Sequence, residues 1–254
     1  ADSTAQWAQN LDFGPALESL GGLLESFRNL ADVAEDRLAD AYENVLLPLA
    51  QWAIQDGGPK FMDNLAKAMG EEGLYTTMVA DLTNGSHNEW ADGGVKRAQE
   101  AYPNMKLLEE EPRVESHDNG DTAYNVAKEL FKKYPDLKGI MGTSSFDAPG
   151  VARAIEELGL QGKVFTAGTG MPGDNAELLK SGAVQYLTLW DPALAGQAMV
   201  ALAQKILNGE EISAPLDLGV EGYTELQFKE GSETVFEGKG WITINAENVD
   251  SFGF

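Results

Sequence analysis

The 254-residue chain carries 41 acidic against 18 basic residues, a formal net charge of −23. That balance disfavours phosphate backbones and anionic membrane surfaces as partners, so no nucleic acid is expected and the acidic surface reads as a solubility device. With no cysteine there are no disulfides, thiolate nucleophiles or cysteine-ligated metals. No apolar run approaches the ~20 residues that span a bilayer, so the protein is not expected to be membrane-embedded.

Residues 1–55 hold nine acidic and two basic residues. Leu17, Leu20, Leu24 and Phe27 recur at helical spacing behind Gly14-Pro15, and Leu38, Ala41 and Val45 share a second helical face. No stretch there alternates with period two. The spacing predicts a helical segment over 1–56 that packs on something else. Asp56-Gly57-Gly58-Pro59 reads as a break, followed by a helix over 61–69 that Gly70 stops.

From residue 74 one unit repeats five times: a short apolar run, a small polar loop, an amphipathic helix. The runs, 74–81, 105–116, 137–142, 163–168 and 183–190, predict strands. Helices are expected over 88–101, 122–134, 148–158, 173–181 and 193–207, with Asp121 as an N-cap and Gly159 as a C-terminal stop. Such alternation predicts an α/β domain over 57–254, a parallel sheet with helices on both faces. Past residue 222, three segments (223–229, 234–237 and 240–244) alternate like short antiparallel strands, with turns at Gly231-Ser232 and Gly238-Lys239.

In open parallel sheets ligands sit beyond the carboxyl ends of the strands, at a topological switch point. The residues placed there are Thr83 to Asn88, His117 to Asn119, Thr143 to Ser145, Thr169, and Trp190 with Asp191. Hydroxyls, amides and a carboxylate beside the aromatic faces of Trp90, Phe146 and Trp190 suit a sugar ring. For Trp190 beside Asp191 ligand contact is favoured; for Trp90 core packing competes equally. Gly168-Thr169-Gly170-Met171-Pro172-Gly173 is a literal G-x-G-x-x-G between strand and helix. It follows the fourth strand rather than the first, and tight strand-to-helix turns use glycine anyway. His87 and His117 lack metal-ligand spacing, and the 117–121 loop lacks most calcium-ligand positions. No catalytic group, cofactor or metal is expected.

Five short motifs then stand in order: Leu82-Thr83 through Ser86-His87-Asn88-Glu89-Trp90; Tyr134-Pro135-Asp136-Leu137-Lys138-Gly139; Asp147-Ala148-Pro149-Gly150; Leu189-Trp190-Asp191-Pro192-Ala193; and Asn248-Val249-Asp250-Ser251-Phe252-Gly253-Phe254. On these, residues from about 58 onward resemble the periplasmic solute-binding proteins of ABC transporters, type I fold, in the branch that binds rhamnose or autoinducer 2. The resemblance implies one Rossmann-like lobe of a two-lobe clamshell, a sugar ligand, an ABC permease as partner and a periplasmic location. An Ala1-Asp2-Ser3 start fits a mature end after signal cleavage. By position it implies ligand contacts from Ser86, His87 and Asn88; from Ser144, Ser145 and Asp147; from Thr169; and from Trp190 and Asp191. Ribose-binding relatives carry Arg, Asn and Asp where this chain has Asn88, Ser144 and Thr169. Autoinducer 2 binders carry Asp-Gln at Ser86-His87. The family's N-terminal lobe is itself built of strand–helix repeats, whereas residues 1–55 read as helices only. The sequence thus predicts a sugar-binding transport component. A sensor or interaction module on the same lobe and a nucleotide-dependent enzyme are the alternatives.

Overall fold

The computed structural model describes residues 57–228, 236–238 and 240–252. The helical reading of residues 1–56, the turn at Gly231-Ser232, and the last two residues of the closing motif lie outside them.

The elements follow the expected alternation: α1 (Gly57–Met69), β1 (Glu72–Val79), α2 (Gly85–Ala101), β2 (Asn104–Leu107), β3 (Arg113–Glu115), α3 (Gly120–Lys133), β4 (Leu137–Gly142), α4 (Asp147–Glu157), β5 (Phe165–Thr169), α5 (Pro172–Lys180), β6 (Tyr186–Trp190) and α6 (Pro192–Leu207). The short strands β7 (Gln227–Phe228) and β8 (Phe236–Glu237) and the longer β9 (Trp241–Ile244) come last. The main sheet runs β2-β1-β4-β5-β6-β9, with β3 also paired to β1. All its pairings are parallel except β6 with β9.

Three readings of the sequence need correction. Residues 105–116 form two strands, not one. Between them lie Leu108, Glu109, Glu110, Glu111 and Pro112, and a proline has no N–H for a ladder. Thr77 N instead donates to Pro112 O, and the Thr76 and Thr77 hydroxyls donate to Glu111 O and Pro112 O. The expected break at 56–59 holds the start of α1, not a loop. Proline is tolerated in a first helical turn, and Gly58 is needed for contact: a Cβ there would lie 2.0 Å from Trp90 O on α2. The N-cap of α3 is Asn119, whose side-chain Oδ1 accepts from Asp121 N and Thr122 N, each at 2.9 Å.

Alternation along the strands divides the core. Phe61, Leu65 and Met69 of α1 and Trp90 of α2 pack with Tyr75, Val79 and Met141 on one face. Ala123, Ala127 and Leu130 of α3 and Val151 and Ile155 of α4 pack with Met78 and Ile140 on the other. Full burial of such side chains is worth about 1.5–3 kcal/mol each, which fixes the register of the central strands and therefore the height of their tips. Among the described residues no helix is long and apolar enough to cross a membrane.

Candidate ligand-binding site

Chain connectivity reverses at β1, which has β2 on one side and β4 on the other; this is the switch point at which α/β sheets bind ligands. After β1 the chain turns into α2, capped by Asn84, whose side-chain oxygen accepts from His87 N at 3.2 Å and Ser86 Oγ at 2.9 Å. His87 Nδ1 accepts from Ala80 N at 3.4 Å, so in the neutral ring the proton sits on Nε2. Burial holds the imidazole below its ordinary pKa, against the pull of Asp118, so it is neutral at pH 7.

After β3 the chain stays on β1 for two more residues, Ser116 N and His117 N donating to Val79 O and Ala80 O. His117 and Asp118 then adopt left-handed backbone, both at φ 53°. The turn sends Asp118 toward the β4 tip, where its carboxylate accepts from Ser144 Oγ. At that tip Asp147, fully buried, accepts from Thr143 N and Ser144 N through one oxygen at 2.9 and 2.8 Å. Among the described residues its other oxygen meets no donor in bonding geometry, the Ser116 hydroxyl being turned to Val79 O. Burial pushes the Asp147 carboxyl up to about 6, against the Ser116 hydroxyl and the two amides, with Asp118 adding to the rise. Thr169, at the β5 tip, donates through Oγ1 to Thr143 O at 3.0 Å. Adjacent tips are thereby tied to one another.

These loops enclose a cavity of about 410 Å³ lined by Asn84, His87, Trp90, Asp118, Thr143, Ser144, Ser145, Phe146, Thr169, Gly170, Met171, Leu189, Trp190 and Pro192. That volume lies within the roughly 300–1,000 Å³ of small-molecule sites. Its aromatic wall is braced from behind: His87 stacks on Trp90 (5.7 Å between centroids, 15° between planes), and Trp241 meets both Trp90 and Trp190 edge-on.

Of the residues named from sequence, the structure brings His87, Ser144, Ser145, Thr169 and Trp190 to the cavity. Ser86 is turned into the α2 cap. Asn88 ties Asp81 O and Asn84 O to Arg113, which also pairs with Asp92. Asp147 lies beneath the wall as its scaffold. Asp191 caps α6, accepting from Ala193 N and Leu194 N. Asn84 and Asp118, placed at the strand tips from sequence but not among the residues expected to contact the ligand, join the lining as well. The signal for Asn84 was its place three residues before His87, an N-cap spacing; for Asp118 nothing local foretold the left-handed turn.

The glycine motif also resolves structurally. Gly168 lies inside β5, where an added Cβ would sit 2.3 Å from Gly142 O. It is a strand-packing glycine rather than a phosphate cradle. Asp81, Glu115 and His117 place ligand atoms within 4.8 Å of one another, but Asp81 is held by Thr83 and Glu115 by Leu82 N; the three scaffold their loops. A wider groove of about 670 Å³ runs beside β2, lined by Leu74, Tyr102, Met105 and Leu107 with lysine and glutamates at its rim. It lacks convergent strand-tip groups.

The fold is an α/β lobe whose strand-tip cavity gathers loops from five strands. The chain belongs to the periplasmic binding protein domain family, which it matches over residues 54–211. The D-apiose import binding protein of Paraburkholderia graminis is 26% identical over 164 residues, 63% of this chain and 49% of that protein. The ribose import binding protein of Haemophilus influenzae is 27% identical over 224 residues, 86% of this chain and 74% of that protein. A crystal structure of a sugar ABC transporter from Actinomyces odontolyticus superposes with a TM-score of 0.64 at 20% identity, over 79% of this chain and 64% of that one. The fold is thus that of type I periplasmic binding proteins, and the chain spans about half the length of the first of these relatives.

Proposed function

We propose that this chain is a sugar-binding component of an ABC importer, holding its ligand outside the cytoplasm for delivery to a permease. The observation that supports it is the cavity at the strand tips, where hydroxyls, an amide, an imidazole and a carboxylate face the rings of Trp90, Phe146 and Trp190. That combination recognises a ring with polar edges and apolar C–H faces. The names of the two relatives, for apiose and ribose import, point the same way. The motifs at 82–90 and 189–193 favour a furanosyl signal or a deoxyhexose of the autoinducer 2 or rhamnose kind. The ligand is held without chemical change.

Among the described residues the cavity is built from one lobe. Each hydrogen bond is worth roughly 0.5–1.5 kcal/mol net, so a second jaw contributing several would tighten binding by orders of magnitude. Isothermal titration of the intact chain with ribose, apiose, rhamnose, autoinducer 2 and NAD tests the reading. One of the sugars or the furanosyl signal saturates a single site; saturable binding of NAD alone refutes it.

A further inference from the structure

Asp118 is the one carboxylate in the cavity lining, and what holds it there lies below the wall. Ser144 bridges two carboxyl groups: its Oγ–H donates to Asp118, and its N–H donates to Asp147 Oδ2 at 2.8 Å. Asp147 is fully buried at the start of α4, and among the described residues its Oδ1 has no hydrogen-bond partner. The groups that face it come from several elements. From the turn after β3, Asp118 is the one charge that bears on it, and no lysine or arginine does. Just past β3 the Ser116 hydroxyl comes near, but its proton is directed at Val79 O of β1 at 3.4 Å. From the β4 tip come the Thr143 and Ser144 amides, both spent on Oδ2. His87 of α2 bears on Asp118 rather than on Asp147, and Asp121 and Arg153, on α3 and α4, pair with each other. An ionised Asp147 is therefore a buried charge with one bare oxygen and a second carboxylate one serine away, which is costly. A protonated Asp147 keeps Oδ2 for the two amides and gains a hydroxyl on Oδ1, and Ser116 Oγ has lone pairs free to accept it.

Resting on the sugar-binding reading, we propose that Asp147 is a positioning residue that acts in its protonated form: while neutral it holds Ser144, and through it Asp118, toward the ligand, and on ionising it repels Asp118 and weakens binding. Burial pushes this carboxyl up to about 6, which brings the change close to neutral pH. The coupling is reciprocal. A ligand that fixes Asp118 beside Asp147 makes Asp147 hold its proton more tightly, so binding takes up protons and loses affinity as pH rises. A shift of about half a unit between free and bound protein corresponds to about a threefold change in affinity.

The test uses the full 254-residue chain and two variants. Asp147→Asn keeps an oxygen for the two amides and cannot ionise. Asp118→Asn removes the facing charge, and asparagine tolerates left-handed backbone. In the free protein, ¹³C carboxyl and ¹⁵N amide spectra from pH 4 to 8 are expected to show one aspartate that ionises near pH 6, with the Ser144 and Asp118 amides shifting at the same midpoint. Asp147→Asn removes that step and Asp118→Asn moves it to lower pH; if Asp147→Asn does not fold, the midpoint and its fall in Asp118→Asn decide. Calorimetric titration with ribose is expected to give affinity at least about threefold tighter at pH 5 than at pH 7.5, with net proton uptake at pH 6 across buffers of different ionisation enthalpy. The preference for acid shrinks in Asp147→Asn, whereas any part due to His87 is common to both proteins. A carboxyl that ionises in the ordinary range, Ser144 and Asp118 amides blind to its ionisation, or a pH preference the same in parent and Asp147→Asn overturns the proposal while sugar binding stands. No response to ribose or rhamnose at tens of millimolar at either pH overturns the sugar-binding reading and this proposal with it.

Discussion

Replacing Asp147 with asparagine isolates the energy stored under the cavity wall. The carboxyl is fully buried, and burial raises it from the ordinary 3.8 to about 6. The folded state therefore holds this proton more tightly than the unfolded chain does. Between pH about 4 and about 6 the folded form binds more protons, so the contribution of Asp147 to stability falls as pH rises through that window. Above it the cost of the buried charge is fully present. A shift of about two units at 1.36 kcal/mol each gives about 3 kcal/mol. Asparagine keeps an oxygen for the Thr143 and Ser144 amides, so the wall survives. Its NH₂ takes the place of an oxygen that has no partner, and an unsatisfied amide costs about 1–3 kcal/mol. The absolute stabilisation at neutral pH is then small, roughly 0–2 kcal/mol, but the pH dependence is not. Urea unfolding of both proteins from about pH 4 to 8 measures it. The carboxyls of Asp81, Glu157 and Glu210, held below their ordinary range by hydrogen bonds, lose their contribution as pH falls, and they cancel in the difference. Stability of the variant relative to the parent should rise by roughly 2–2.5 kcal/mol between pH 4 and 7, the part of the full linkage that falls in that window. A flat difference, or one of opposite slope, refutes the account of Asp147.

Gly168→Ala drives a Cβ to 2.3 Å from Gly142 O, backbone that cannot yield, whereas Gly170→Ala meets side chains, the Leu187 methyls at 3.0 Å and Asn175 Nδ2 at 3.4 Å. Thermal unfolding should show the first losing more than about 2 kcal/mol and the second about 1 or less; equal losses contradict the packing role. Gly170→Ala also leaves NAD titrations as featureless as the parent's, and a saturable NAD signal abolished by it would sink the receptor reading. Asn119→Ala removes the α3 cap and costs about 1 kcal/mol in urea unfolding, while Asp121→Ala at the position read as the cap from sequence costs less. Arg113→Met frees Asn88 from β3 and should weaken sugar binding several-fold without abolishing it; an unchanged affinity would show that the Asn84–His87 rim needs no such brace.

How much of this was written in the sequence varies with the physics of each part. Buried parallel strands must be continuous apolar runs, so β1, β4, β5 and β6 stood out, and the helix faces of α3 and α4 followed from their 3.6-residue period. Glu109, Glu110, Glu111 and Pro112 were passed over inside a strand because side chains of β1, not local sequence, hold that segment. Strand β9 was read as a short antiparallel strand with no partner named, and it joins β6 antiparallel, a long-range choice that alternation cannot reveal. The strand tips located the cavity, but orientation within each loop did not follow. Ser86, Asn88, Asp147 and Asp191 are polar residues in the right loops whose side chains are spent on backbone amides and carbonyls or on neighbouring side chains. Asp118 reaches the cavity only because two successive residues take left-handed backbone.

A sugar is expected at the strand tips, between the α2 wall and the tips of β3, β4 and β5. Crystals grown from the intact chain with its best-binding sugar at saturation test it directly. Density is expected in contact with Trp90, Asp118, Ser144 and Thr169, with a ring face on an aromatic side chain. Density in the groove beside β2, or a sugar-saturated protein whose strand-tip cavity holds only water, would contradict it.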